Sequence, residues 1–157
     1  MVPAIQVAKY FILKSIPGTK QNITNLKLQK LLYYAQGHYL SNMGNPLFPD
    51  RIEAWVHGPV VPDVFKGYSH YNFNEIIENV DPTEIDEISS DISEFLDQVW
   101  DKYKNYNGKQ LEKKTHREKP WLNIREGLPD FVYTNDEITR SSIKEYFDAN
   151  HNLAVFV

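Results

Sequence analysis

Apolar residues recur at every third or fourth position near the start of the chain and at every second position further on, and this change of period predicts helices followed by a short strand. Ile5, Ala8, Phe11 and Ile12 share one helical face, and Pro17-Gly18 stops the pattern, which predicts a helix over about residues 3 to 15. Thr24 is suited to cap a second helix, on which Leu28, Leu31, Leu32, Ala35 and Tyr39 form a stripe closed off by Gly44 and Pro46. Between Leu47 and Pro62, Ile52, Ala54 and Val56 alternate with polar or aromatic residues, so a strand is expected at about residues 52 to 56. Gly58-Pro59 ends it at a rigid corner, because proline has no amide donor and restricts the residue before it. Pro62 and Asp63 fit the first turn of a short helix whose inner side is Val64, Phe65 and Tyr68.

The second half is again helical in pattern. Asp81-Pro82-Thr83-Glu84 reads as a capped helix start, and Ile85, Ile88, Ile92, Phe95, Val99 and Tyr103 carry the helix to about residue 105. Its other face holds Asp86, Glu87, Asp91, Glu94 and Asp97, either a solvated outer surface or a landing surface for a basic partner. A short segment around Leu111 leads into Thr115-His116-Arg117-Glu118-Lys119-Pro120-Trp121, which has no period and is expected to be a loop with a helical turn on each side. Thr134 and Glu137 have capping-box spacing and predict a last helix with Ile138, Ile143, Tyr146 and Phe147 inward. The apolar end, Leu153 to Val157, is either tucked against the core or left for a partner or a protease. The expected architecture is mainly α (α+β with minor strand content): a compact helical bundle forming a single domain over residues 1–157.

Composition narrows the classes. The chain has no cysteine, so disulfides, thiolate metal sites and cysteine nucleophiles are excluded. No apolar run approaches the roughly 18 residues of a membrane span, and no signal-like segment opens the chain, so a soluble, cytoplasmic protein is expected with no membrane partner. A net charge of -4 gives little support for nucleic-acid binding. Aromatic residues make up 13% of the chain, more than its core needs, and surplus Tyr and Trp are what protein interfaces favour.

The search for chemistry is mostly negative. The five histidines show no metal-ligand spacing, and neither phosphate-cradling glycine loops nor serine-nucleophile motifs occur, so no cofactor is expected. His57, and His116 with Glu118, are the candidates for acid–base work, because each stands beside an aromatic residue and a proline. An imidazole in that setting serves more often as a hydrogen-bonded strut for a loop. Residues 23 to 40 resemble half of a helix-turn-helix, but Lys27, Lys30, Gln29 and Gln36 are a thin set for reading bases.

Three segments together carry a family resemblance: Ile23-Thr24-Asn25-Leu26-Lys27-Leu28-Gln29-Lys30-Leu31-Leu32-Tyr33-Tyr34-Ala35-Gln36-Gly37; Pro46-Leu47-Phe48 through Ile52-Glu53-Ala54-Trp55-Val56-His57-Gly58-Pro59-Val60-Val61-Pro62; and Thr115-His116-Arg117-Glu118-Lys119-Pro120-Trp121. They resemble the Panacea domain, a SocA-like antitoxin domain formerly known from phage-associated proteins. The resemblance implies a mostly helical fold and a bacterial or prophage antitoxin that neutralises, by direct contact, a cognate protein toxin encoded by a neighbouring gene. It leaves the toxin unidentified, because family members pair with toxins of unrelated fold.

On the matching positions, Leu28, Leu31, Leu32 and Ala35 are expected in the core, with Lys27, Lys30 and Tyr34 partly off the stripe and exposed. Trp55, His57 and Pro59 are expected to pack against Thr115, His116, Glu118 and Trp121, so that two distant motifs form one platform for the partner. Occlusion of the toxin is the leading mechanism. A related branch of the family implies an adaptor that delivers the toxin to an ATP-dependent protease, and a different class would be a hydrolase-type enzyme using His116 and Glu118. The aromatic surplus also leaves room for a homo-oligomer.

Overall fold

The computed structural model describes residues 1–150, and the apolar end from His151 to Val157 lies outside them. Within the described residues the chain forms seven α-helices and a three-stranded antiparallel sheet. In chain order these are α1 (Ala4–Lys14), α2 (Asn25–Met43), β1 (Ile52–Trp55), β2 (Gly58–Val60), α3 (Pro62–Tyr68), α4 (Ser90–Tyr103), α5 (Gly108–Thr115), α6 (Lys119–Arg125), β3 (Glu137–Ile138) and α7 (Arg140–Ala149). This is the mainly helical, α+β architecture that the periodicity predicts. No helix among the described residues is long and apolar enough to cross a membrane.

The second helix is the centre of the fold. Thr24 caps it, its side chain accepting from the Lys27 amide, and α1, α4, α5 and α7 pack around it, with α3 and β2 against its first half. Leu28, Leu31, Leu32 and Ala35 are buried as the stripe predicts, but every residue from Lys27 to His38 is buried too. Lys27, Lys30 and Tyr34, expected at the surface, are fully buried. The stripe misleads because α2 is wrapped on all sides, so its polar residues are internal as well. Gly37 stands where α7 comes closest: a Cβ there would lie 2.2 Å from the Phe147 ring.

A buried polar side chain needs a partner, and α2 finds most of its partners in the backbones of surrounding loops. Gln36 accepts from the Leu47 and Phe48 amides at 2.7 and 3.3 Å and donates to the Phe48 carbonyl at 2.9 Å. Gln29 accepts from the Val61 amide at 2.9 Å. Lys27 donates to the Lys20 and Lys104 carbonyls, tying the connections on either side of it. Burial lowers the Lys27 amine to a pKa of about 8. His38 meets the Tyr103 hydroxyl at 2.8 Å, and Tyr103 stacks on Tyr34 with ring centroids 4.3 Å apart.

Two boundaries differ from the sequence expectation. The helix expected from Asp81 is only a 3₁₀ turn, Pro82–Ile85, closed by a capping box, and α4 begins anew behind the Ser89 cap. Gln6 causes the break: it accepts the Glu87 amide and donates to the carboxylates of Asp86 and Glu87, which takes that backbone out of the helical ladder. Thr134 likewise does not open the last helix. Its hydroxyl accepts from the Asp136 amide, Glu137–Ile138 pairs with β1 as an edge strand, and Thr139 caps α7 instead. Ile138 is therefore buried on a strand; Ile143 and Phe147 are buried on α7, with Tyr146 half-buried.

Candidate functional site

The hairpin of β1 and β2 turns through only two residues, Val56 and His57, with Trp55 paired to Gly58. Gly58 has φ +109°, and a Cβ there would lie 2.7 Å from Lys30 Cε and 2.9 Å from Thr115 Oγ1, so neither conformation nor space admits a larger residue. The Pro59 carbonyl accepts from Lys30 Nζ at 3.2 Å. The tip is thus pinned from below by α2 and at the side by the end of α5.

The two sequence motifs meet here. His57 Nδ1 lies 2.8 Å from Glu112 Oε2, and the Trp121 indole donates to the Trp55 carbonyl at 2.8 Å. His116 stacks flat on Trp121, with centroids 4.0 Å apart and planes 12° apart. Arg125 lies over the Trp121 ring, 5.4 Å from its centroid, and donates to the Ala54, Pro129 and Asp130 carbonyls. On the outside, the Trp55 ring touches Phe65 and Tyr133 edge-on. The segment Thr115–Trp121 is less loop-like than its lack of period suggests: α5 runs to Thr115, and Lys119-Pro120-Trp121 already form the first turn of α6.

Glu118 holds the turn between those helices from inside. It is 3% exposed, and its two oxygens accept from the Tyr33 and Tyr34 hydroxyls at 3.0 and 2.9 Å, with Lys114 Nζ 3.8 Å away. Burial raises the Glu118 carboxyl above its usual range, against the pull of Tyr34, Lys114 and Tyr33. Both tyrosines are pushed up, first by burial and then by the Glu118 charge. Lys30 is pulled down by burial to about 7, partly offset by Glu112. At Glu112 burial raises the carboxyl, and the bonds from His57 and Lys109 outweigh it, leaving the group below its usual range. His116 is lowered, by burial first, with Glu112 acting against it.

Of the residues singled out in the sequence, Trp55, His57, Pro59, Thr115, His116 and Trp121 form one continuous structure around the hairpin tip. His57 is its most open member, with 65% of its side chain exposed. Lys30 and Tyr34 lie beneath as supports, and Lys27 is not part of it. Glu118 is sealed under the turn, so a hydrolase using its carboxylate together with His116 would have no access to substrate through it. His57, Glu112 and His116 approach one another, yet no group of three or more His, Asp or Glu among the described residues is arranged to hold a metal ion.

Sequence reasoning missed Glu112, which joins His57 to α5, and Arg125, which anchors the strand behind Trp55. Glu112 stands one helical turn before His116, a spacing that would have pointed to it. Nothing in the pattern around Arg125 marks its role.

Comparisons with known proteins bear on the same region. The sequence profile of the family described as "Antitoxin SocA-like, Panacea domain" matches residues 28–122, which contain all but the first three residues of the central helix, the hairpin and α5 with the first half of α6. Antitoxin SocA of Caulobacter vibrioides (strain NA1000 / CB15N) is 51% identical over 47 residues, 30% of this chain and 25% of that protein. No solved structure matches. The chain belongs to the SocA-like antitoxin family that carries the Panacea domain.

Proposed function

We propose that this protein is the antitoxin of a toxin–antitoxin pair and that it neutralises a protein toxin by binding it directly through the surface around the hairpin tip. The supporting observation is the construction of that surface: motifs more than fifty residues apart in sequence are tied together by hydrogen bonds of 2.8 Å, and the exposed result is an aromatic-edged face on a pre-formed support. Next to the half-buried Trp55 stands Tyr133, 63% exposed and in ring contact with it, and Phe131, two residues earlier in the chain, is 82% exposed. Large exposed aromatics on a pre-formed support are the composition of binding hot spots, because little conformational freedom is lost when they are covered. The acid–base groups, by contrast, are engaged in holding the fold, which favours a binder over a catalyst.

The test is a titration of the purified product of the adjacent gene in a toxicity or activity assay that contains no protease. Neutralisation complete at one antitoxin per toxin, and weakened about 10-fold or more by F131D/Y133D, is the expected result. Rescue at far below equimolar amounts would point to an enzyme instead, and rescue only when an ATP-dependent protease and ATP are added would point to an adaptor.

A further inference from the structure

Charge is sorted along the second half of the chain. Residues 81 to 101 include eight acids and no base, whereas residues 102 to 119 include seven Lys or Arg and two acids. Those two acids are Glu112 and Glu118, both buried and bonded to His57, Tyr33 and Tyr34. What α5 and the start of α6 present to solvent is therefore cationic, with no exposed acid of its own. Lys109, Lys113 and Arg117 follow one another at four-residue steps, close to one face, and Lys119 continues at the first position of α6; all four are exposed. Among the described residues, Lys113, Arg117 and Lys119 make no side-chain hydrogen bond or ion pair.

Stability does not account for this stripe. The α5 dipole favours Lys113 and Lys114 in its last turn, but Lys109 in the first turn of α5 and Lys119 at the start of α6 stand at dipole ends that disfavour cations. The neighbouring acids behave differently. Asp86 and Glu87 hold Gln6, Glu84 pairs with Lys9, and Asp97 accepts from Tyr10 and pairs with Lys14. The cations also crowd one another: Lys102 is pulled below its usual range by burial and then by the charge of Lys114.

We propose that the Lys109–Lys113–Arg117–Lys119 stripe is a docking surface for an acidic protein face. The proposal rests on the toxin-binding reading above and deepens it by naming the partner's chemistry: the stripe would supply the electrostatic half of that contact, continuous with the hairpin tip. The continuity is direct, since Lys109 Nζ and His57 Nδ1 share Glu112, at 3.1 and 2.8 Å. A protein patch fits better than a nucleic acid. The helical part of the stripe, from residue 109 to the end of α5 at residue 115, spans only about 9 Å, and a longer polyanion would meet the eight-acid segment that precedes α5 in a chain of net charge -4.

Calorimetric titration of the full chain with the purified product of the adjacent gene, at about 50 and about 300 mM salt, tests the proposal, with a DNA duplex of about 20 base pairs as a second probe. K113E/R117E/K119E should weaken binding to the protein about 100-fold at low salt and flatten the salt dependence, while D91N/E94Q should change it by less than about 3-fold. R117E alone, expected to weaken binding about 5-fold, serves if circular dichroism shows the triple variant misfolded. Equal binding by the unmodified chain and a folded charge-reversed variant would overturn the proposal. So would duplex binding tighter than protein binding and lost in the variant, which would make the stripe a nucleic-acid surface. Failure of the unmodified chain to bind the adjacent gene's product would overturn the functional reading itself, and the proposal with it.

Discussion

Helices α2 and α5 are both rich in lysine and glutamine or glutamate, yet they use them in opposite ways. On α2, Lys27, Gln29, Lys30 and Gln36 are buried, and each reaches a backbone group of another segment. On α5, Glu112 turns inward to the His57 side chain and Lys114 towards Glu118, while Lys109 and Lys113 face water. Polar residues on the first helix act as pegs for the loops and the hairpin. On the second, Lys113 is exposed and, among the described residues, takes no part in the fold's side-chain bonds. The contrast separates the residues that build the Panacea-type surface from those proposed to contact a partner, although the two sets are chemically alike.

The comparison breaks first at Glu118. Removing its carboxylate strands two tyrosine hydroxyls in the core and opens a cavity, so Glu118→Ala should cost about 3 kcal/mol of stability in urea unfolding, and Glu118→Gln clearly less because it keeps an acceptor. Gly58→Ala comes next. A Cβ at that left-handed position would press on Lys30 and Thr115, and a loss of about 2 kcal/mol with the same denaturant slope is expected.

The buried lysines sharpen the contrast through pH. Lys30, at about 7, and Lys27, at about 8, hold their protons less tightly when folded than in the unfolded chain, where the ordinary value of 10.5 applies. Between about pH 7 and 10 the unfolded state therefore binds more protons, and their contribution to stability rises with pH. Unfolding curves of Lys30→Met should show a shallower rise across that window than the unmodified protein. Smallest of all, Lys113→Ala should leave stability within about 0.5 kcal/mol, because the side chain touches nothing that holds the fold together.

Much of this was legible in the residues. The cap at Thr24, Pro62 at the first position of α3, the strand expected at about residues 52 to 56 and found at Ile52–Trp55, and the meeting of the Trp55–Pro59 corner with the Thr115–Trp121 segment all follow from local rules or from the family motifs. The surface positions expected for Lys27, Lys30 and Tyr34 did not hold, because an amphipathic stripe reports one buried face and is silent about a helix enclosed on every side. The break before α4 was hidden for a related reason. It depends on Gln6, some eighty residues away, which competes for the backbone of Glu87. Thr134 shows the same limit: capping-box spacing is local, and pairing of Glu137–Ile138 with β1 overrode it.

Amide hydrogen exchange on the protein, alone and with the product of the adjacent gene, tests most directly whether the hairpin tip and the α5–α6 face form the proposed contact surface. Slowed exchange on binding at residues 55 to 58 and 109 to 121, with residues 81 to 101 unchanged, is the predicted footprint. Protection confined to the acidic segment before α5, with the tip exchanging as in the free protein, would contradict it.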